Sequence, residues 1–207
     1  MWPKSLEEFW KQLEEVFAEN KEGKIEARYK WEFERMPDPP AKVLEVGCSS
    51  GKALSKLVEK GYECVGLDLP KSIANLENPN FETLQLNVDK LLFEPRWRGV
   101  FDVVICNEVI QHVVFDEVLL WQLWNALRER GDLFLTTIIR ETGIGNVRVR
   151  TYKPKEILKL LKIIGFEVLE HEVHGDHIWI YAVKEGRNAN TPLPWNERRN
   201  RRKPSWS

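Results

Sequence analysis

The sequence predicts an α/β fold: a doubly wound, seven-stranded sheet, mostly parallel, that ends in an antiparallel C-terminal hairpin. Three observations predict it. From Lys42 onward, short apolar runs alternate with helical patterns, as parallel strands do when crossover helices cover both faces of a sheet. The last two runs, Glu167–Val173 and Ile178–Val183, are separated only by His174–His177, which is too short for a helical crossover, so they should pair antiparallel. Finally, 207 residues with 43% apolar and 30% charged side chains suffice for one domain with a substantial core and not for two large ones.

The preface comes first. Ser5 and Glu8 can form a capping box, and Leu6, Phe9, Trp10, Leu13, Val16 and Phe17 recur at helical spacing, so residues 5 to 19 should form an amphipathic helix. Ile25–Met36 is rich in aromatics (Tyr29, Trp31, Phe33) but mixes periods, and the pattern leaves its type open. Pro37–Pro40 closes this part, so residues 1–40 are read as an N-terminal helical lid.

Residues 41–185 carry the sheet. Val43–Val46 is the first strand, followed by a helix with apolar positions Ala53, Leu54, Leu57 and Val58, ended by Gly61. Strands follow at Cys64–Asp68, Thr83–Leu86 and Phe101–Cys106, then a helix from about Asp116 to Arg128 and a strand at Leu133–Ile138. Pro154 launches a helix over Lys155–Ile164, and the hairpin completes the sheet.

Residues 186–207 lose all apolar periodicity and are read as a basic, disordered tail. Arg187, Arg198, Arg199, Arg201, Arg202 and Lys203 against Glu197 give this tail a net +5, so the rest of the chain carries −6 of the total of −1. The near-neutral total names no partner. The tail with Trp195 and Trp206 offers phosphate pairing and base stacking to a nucleic acid, a reading less favoured than a solubilising role. No run reaches the roughly 20 apolar residues of a membrane span, and Met1–Ser5 opens an acidic stretch unlike a signal peptide, so no membrane association and a cytoplasmic location are expected. Cys48, Cys64 and Cys106 each border an apolar run without metal or disulfide spacing, and are read as reduced, buried thiols.

The chemistry concentrates where the first strand runs into Glu45-Val-Gly-Cys-Ser-Ser-Gly51 and then a helix. A turn of small residues at the carboxyl end of a buried strand lets backbone approach a ligand closely, next to the free amides of a helix. The second strand ends in Gly66-Leu-Asp68, roughly 20 residues on, where an acid can accept from both ribose hydroxyls.

At these residues the sequence resembles the class I S-adenosylmethionine-dependent methyltransferases, in the group acting on small molecules and metabolites. Glu45 two residues before the first glycine is the residue that separates this resemblance from one to dinucleotide dehydrogenases. The resemblance extends over 42–184 through Asn87–Leu91, Phe101–His112, Gly131–Thr137, and Thr151 to Val168. It implies a Rossmann-like sheet and S-adenosylmethionine as cofactor, with S-adenosylhomocysteine as product. Glu45, Gly47, Cys48 and Gly51 would surround the methionine moiety, Asp68 with Leu69 would hold the ribose, Asn87 and Val88 would face the adenine, and Asn107 would shape the methionine end. Two residues depart from the family's pattern: Ser49 replaces a middle glycine, and Asn87 an aspartate. Serine preserves the turn provided its backbone is not required at positive φ.

The implied reaction is in-line methyl transfer to an oxygen or nitrogen of a small-molecule acceptor. If the acceptor is a hydroxyl, a proton must leave, and His112 beyond the fourth strand is the candidate base; Glu108 and Asp116 are weaker ones, and His112 orienting the loop is the plain alternative. Tyr29, Trp31 and Phe33 are candidates to hold a planar acceptor, with core packing as the other reading. Arg140, Arg148 and Arg150 form the other candidate wall. His171, His174 and His177 near Asp176 straddle a hairpin, and no metal site is expected there. The alternatives are an RNA or protein methyltransferase using the basic tail, or a catalytically inactive cofactor-binding regulatory or assembly subunit.

Overall fold

The computed structural model describes residues 22–69, 80–85, 95–140 and 150–185. Within them, α1 (Glu22–Phe33) is followed by β1 (Lys42–Val46), α2 (Lys52–Glu59), β2 (Glu63–Asp68), β3 (Glu82–Gln85) and β4 (Phe101–Asn107). Then come α3 (Asp116–Ala126), β5 (Leu127–Ile138), α4 (Pro154–Ile164), β6 (Phe166–His174) and β7 (His177–Lys184). The capping-box helix at 5–19, Asn87, Val88, Arg148 and the tail lie outside the described residues.

The seven strands form one sheet in the order β3-β2-β1-β4-β5-β7-β6. The expected α/β architecture is therefore the observed one: β1 to β5 pair parallel, and β7 runs antiparallel between β5 and β6. The hairpin turns at Gly175 and Asp176, between the paired residues His174 and His177.

Alternation along the central strands sorts the core into two layers. Leu44, Val46, Val104, Cys106, Leu133 and Leu135 pack with Leu119, Leu120, Leu123, Ile157 and Leu161 of α3 and α4. Val43, Val103, Ile105, Phe134 and Trp179 pack on the other face with Trp31 of α1 and Leu54 and Leu57 of α2. Gly66 lets α2 come close to β2, because a Cβ there would lie 2.9 Å from both Cys48 Sγ and Leu54 Cδ1. The three thiols are free and buried, as expected.

The aromatic stretch of undetermined type is helical. Trp31 is only 7% exposed; it meets Phe134 edge-on at 6.1 Å and Trp179 at 5.9 Å, and its Nε1 donates to Glu172. Arg35 lies over the Trp31 ring and pairs with Glu170 through two nitrogens. Trp31 is thus core, while Phe33 stacks on Tyr29 at 5.8 Å.

The third helix ends two residues before the expected Arg128, and β5 begins at once with Leu127. Leu127 pairs with Phe101 before the ladder shifts to Val103 and Asp132, and the excursion between is turned by Arg130 at φ 61°. A helical pattern ending in Leu127-Arg128 carries no local sign of that tertiary pairing. Among the described residues, no helix is long and apolar enough to cross a membrane.

Candidate functional site

The loop after β1 is held against β2: Gly47 and Cys48 both donate their backbone N–H to Leu67 O, at 2.7 and 3.2 Å. Gly47 sits at φ 81°, and a Cβ there would overlap Val109 Cγ2, so the position excludes any side chain for two independent reasons. Gly51, left-handed at φ 67°, introduces α2. Ser49 is also left-handed, at φ 46°. The condition under which serine would be cost-free in this loop is therefore not met, and the left-handed conformation costs a non-glycine residue about 1–2 kcal/mol.

Asp68 meets this loop from the tip of β2. Its Oδ2 accepts from Ser49 N at 2.6 Å and its Oδ1 from Leu69 N at 2.6 Å, so the carboxylate is fixed at the sheet edge while both oxygens keep further acceptor capacity.

Beneath the loop lies a buried polar cluster assembled by strand parity. Glu45 projects to the same face as Val43, and Asn107 to the same face as Val103 and Ile105, which is the face covered by α1. Helix α1 meets them with Arg28 and Glu32, one turn apart. Asn107 Nδ2 donates to Glu32 Oε1 at 2.9 Å, and Arg28 Nε lies 3.6 Å from the same oxygen. Glu32 is fully buried and Glu45 is 2% exposed. Burial drives Glu32 up to about 7, against the pull of Arg28 and the Asn107 hydrogen bond. Burial, reinforced by the nearby Glu32 charge, drives Glu45 up to about 8. Within this cluster Arg28 Nε, Glu32 Oε2, Glu45 Oε2 and Asn107 Oδ1 are buried without a hydrogen-bond partner. Four such atoms side by side is unusual in a native interior. One is a cationic donor and the others belong to carboxyl or amide groups, a set that fits a ligand carrying both an ammonium and a carboxylate.

Past Asn107 the chain turns through Glu108 at φ 58° into a short turn, Ile110–His112. Glu108 Oε1 accepts from Thr136 Oγ1 at 3.3 Å and its Oε2 from Gln111 Nε2 at 3.1 Å, while His177 Nε2 lies 3.5 Å from Oε2. His112 is partly buried at the end of the turn, its backbone N–H bonded to Val109 O at 2.9 Å. Asp116 is engaged by Arg150 and by Tyr152 Oη, which commits both Asp116 and Arg150 to holding 150–152 against α3.

The structure thus brings together Glu45, Gly47, Cys48, Gly51, Asp68, Leu69 and Asn107 along the carboxyl edge of β1, β2 and β4. Arg28 and Glu32 are additions that the sequence did not point to, and His177, weighed in the sequence only as a metal ligand, lies beside Glu108. An Arg–Glu pair at helical spacing was present, but the mixed periodicity of 25–36 concealed the helix that gives it meaning. Among the described residues, no cluster of three or more His, Cys, Asp or Glu side chains has metal-binding geometry.

The profile of a family described as a methyltransferase domain matches residues 10–185. The ubiquinone biosynthesis O-methyltransferase of Marinobacter nauticus is 27% identical over 154 residues, covering 70% of this chain and 59% of that protein. The chain therefore spans less than two thirds of the length of this curated relative. Among solved structures, an S-adenosylmethionine dependent methyltransferase from Mesorhizobium loti superposes with a TM-score of 0.65 at 16% identity, over 75% of this chain and 98% of that one. A protein from Pyrococcus horikoshii does so with a TM-score of 0.66 at 18% identity, over 83% and 93%.

Proposed function

The chain belongs to the class I S-adenosylmethionine-dependent methyltransferase family, and on that premise we propose that it transfers a methyl group to an oxygen or nitrogen of a small-molecule acceptor. The observation that carries this reading is the buried set of Arg28, Glu32, Glu45 and Asn107, with unpartnered polar atoms of both characters under a loop that leaves no room for a side chain at Gly47. Arg28, always a cation, would take the carboxylate of the cofactor's amino-acid end. Glu45, Glu32 and the Asn107 carbonyl would take its ammonium. Asp68 would hold the ribose, with Cys48, Gly51 and Leu69 around it. Asn87 and Val88 are proposed for the adenine on the family resemblance alone.

S-adenosylmethionine, when bound, supplies a methyl group already activated on a sulfonium, so alignment and exclusion of water are what the protein chiefly adds. The fixed loop and the buried floor under it supply alignment. His112 and Glu108, at the tip of β4, are the proposed side chains nearest the acceptor. The name of the Marinobacter relative, an O-methyltransferase, supports an oxygen acceptor.

Isothermal titration with S-adenosylmethionine tests the reading. Saturable binding is expected, weakened by about 1–3 kcal/mol in Asp68→Ala, the usual cost of a lost partner to a buried polar group. No binding, or equal binding by both proteins, would sink it. Removal of residues 187–207 is expected to spare activity; its loss would instead favour a nucleic-acid acceptor.

A further inference from the structure

We propose that His177 and Glu108 are the acid–base pair of the acceptor site, His177 as the base and Glu108 as its positioning residue, and that the acceptor is a phenolic hydroxyl. The proposal rests on the methyl-transfer reading above and gives that site its substrate class.

Topology brings the two residues together. Because β7 runs antiparallel, its first residue lies at the same edge as the last residues of β4 and β5: Asn107 pairs with Thr136, and Ile138 with His177. Parity puts His177 on the face of Trp179 and Tyr181, which is also the face of Phe134 and Trp31 and hence that of Glu45 and Asn107. Glu108 and His177 are two strand spacings apart, roughly 9.5 Å, and their side chains meet above the end of β5.

Glu108 is aimed by its surroundings. Its two oxygens accept from Thr136 and Gln111, and Gln111 Oε1 in turn accepts from Thr137 Oγ1 at 3.0 Å; all three partners are buried. Its backbone is left-handed, a conformation that a glutamate keeps only where the surrounding structure over-determines it. The outcome of that expense is a carboxylate 3.5 Å from an imidazole whose side chain remains 25% exposed. Such catalytic contacts tighten when substrate is bound. Among the described residues, the other titratable groups near His177 are Asp176, next to it in the turn, and His174, its hairpin partner, which lies 2.8 Å from Glu172 and stacks on Trp179 at 3.7 Å. Arg28 interacts electrostatically with Glu108 as well as Glu32 and Glu45, so the pair adjoins the cluster assigned to the cofactor.

The chemistry selects the acceptor. A neutral amine attacks with its own lone pair and needs no base beforehand. A carboxylate at the reacting position would be repelled by Glu108. Among hydroxyls, a phenol, ionising near 10 like a tyrosine side chain, gives its proton to an imidazole far more readily than an aliphatic alcohol does. As the phenolic oxygen bonds to the methyl carbon, the methyl–sulfur bond breaks with its electron pair remaining on sulfur. The hydroxyl proton passes to His177 Nδ1, and Glu108, which faces Nε2, stabilises the imidazolium.

The test uses the full chain saturated with S-adenosylhomocysteine and catechol as the probe. Affinity for S-adenosylhomocysteine is measured first by calorimetry, on wild type, His177→Gln, Glu108→Gln and His112→Gln; its absence in wild type would overturn the methyl-transfer reading and this proposal with it. Catechol is then titrated while the imidazole resonances are followed by NMR, with His177→Gln assigning the signal. The expected result is saturable catechol binding that shifts the His177 resonance, at least tenfold weaker in His177→Gln, with S-adenosylhomocysteine affinity held within twofold. Catechol methylation should fall by about 10²–10⁴-fold in the same variant and lose the acid limb of its pH profile, and Glu108→Gln should move that limb. Catechol that fails to bind the loaded wild type, or binds without moving the His177 resonance, or is methylated by His177→Gln at the wild-type rate, would overturn the proposal. A loss confined to His112→Gln would assign the base to His112 and overturn it equally.

Discussion

Two sets of carboxyl groups on one face of the sheet are treated in opposite ways. Glu32 and Glu45 are buried, Glu32 alone meets Arg28 and the Asn107 amide, and each keeps an unpartnered oxygen in the interior. Glu108, directly after the last residue of β4, keeps 22% of its side chain exposed and receives donors from Thr136 and Gln111. A carboxylate given donors is being held in place as an anion. Carboxyls left without them are pushed toward the neutral form, and the deficit is relieved when a cation arrives. The first arrangement suits a group that aims another side chain; the second suits a floor for a charged ligand.

The most severe way to break this contrast is Arg28→Met. It removes the only cation facing Glu32 among the described contacts and leaves two acids buried together, a change expected to destabilise by about 3 kcal/mol, seen as a lower urea midpoint. The loss should be larger at pH 8.5 than at pH 6, where the acids can protonate. An equal loss at both pH values would mean that the acids do not respond to Arg28.

Next is Gly47→Ala. The added Cβ meets Val109 in a backbone that disfavours it, for a combined cost of about 2–4 kcal/mol. Cofactor affinity should fall at least tenfold even where the protein remains folded, because the loop has to move away from Val109. A variant folded and binding like wild type would show the close approach to be dispensable.

The acids themselves give a pH effect of definite sign. Glu32 and Glu45 have their folded values raised to about 7 and about 8, above ordinary carboxyl values near 4.3. The folded state therefore binds more protons than the unfolded chain between those limits. Stability of the ligand-free protein is complete below the unfolded value, and is lost as pH rises through 7 and 8. Urea midpoints across pH 5 to 9 should fall accordingly (about 1.4 kcal/mol per unit shift sets the upper scale). Saturation with S-adenosylhomocysteine should flatten the decline, since an ammonium stabilises the charged forms; a decline unchanged by the ligand would separate the cluster from the cofactor.

Much of this was legible in the sequence, and the reasons are local. Glu45, Gly47, Gly51 and Asp68 lie at the ends of strands whose apolar runs are unmistakable, so their place at the sheet edge follows from alternation alone. The hairpin followed from the shortness of His174–His177. Contacts between distant segments were not legible: Asn107 reaches Glu32 across 75 residues, and His177 reaches Glu108 only because β7 is inserted beside β5. No periodicity encodes which strand a hairpin will join. The histidines at 174 and 177 look alike in sequence, yet one stacks on Trp179 and the other faces Glu108.

The smallest effect sharpens the comparison from the loop side. Ser49 holds a left-handed conformation while its N–H binds Asp68, so Ser49→Gly removes a backbone cost of about 1–2 kcal/mol and adds back part of it through the freer unfolded chain. The net expectation is a gain of about 0.5–1 kcal/mol in urea unfolding. Because the glycine keeps the N–H that Asp68 accepts, cofactor affinity should change by less than about threefold, roughly 0.6 kcal/mol. A gain in stability with a large loss of affinity would show that the serine, strained as it is, orders the loop for the ligand. The conformational cost at Ser49 would then belong with that at Glu108, as strain retained where a group has to be aimed.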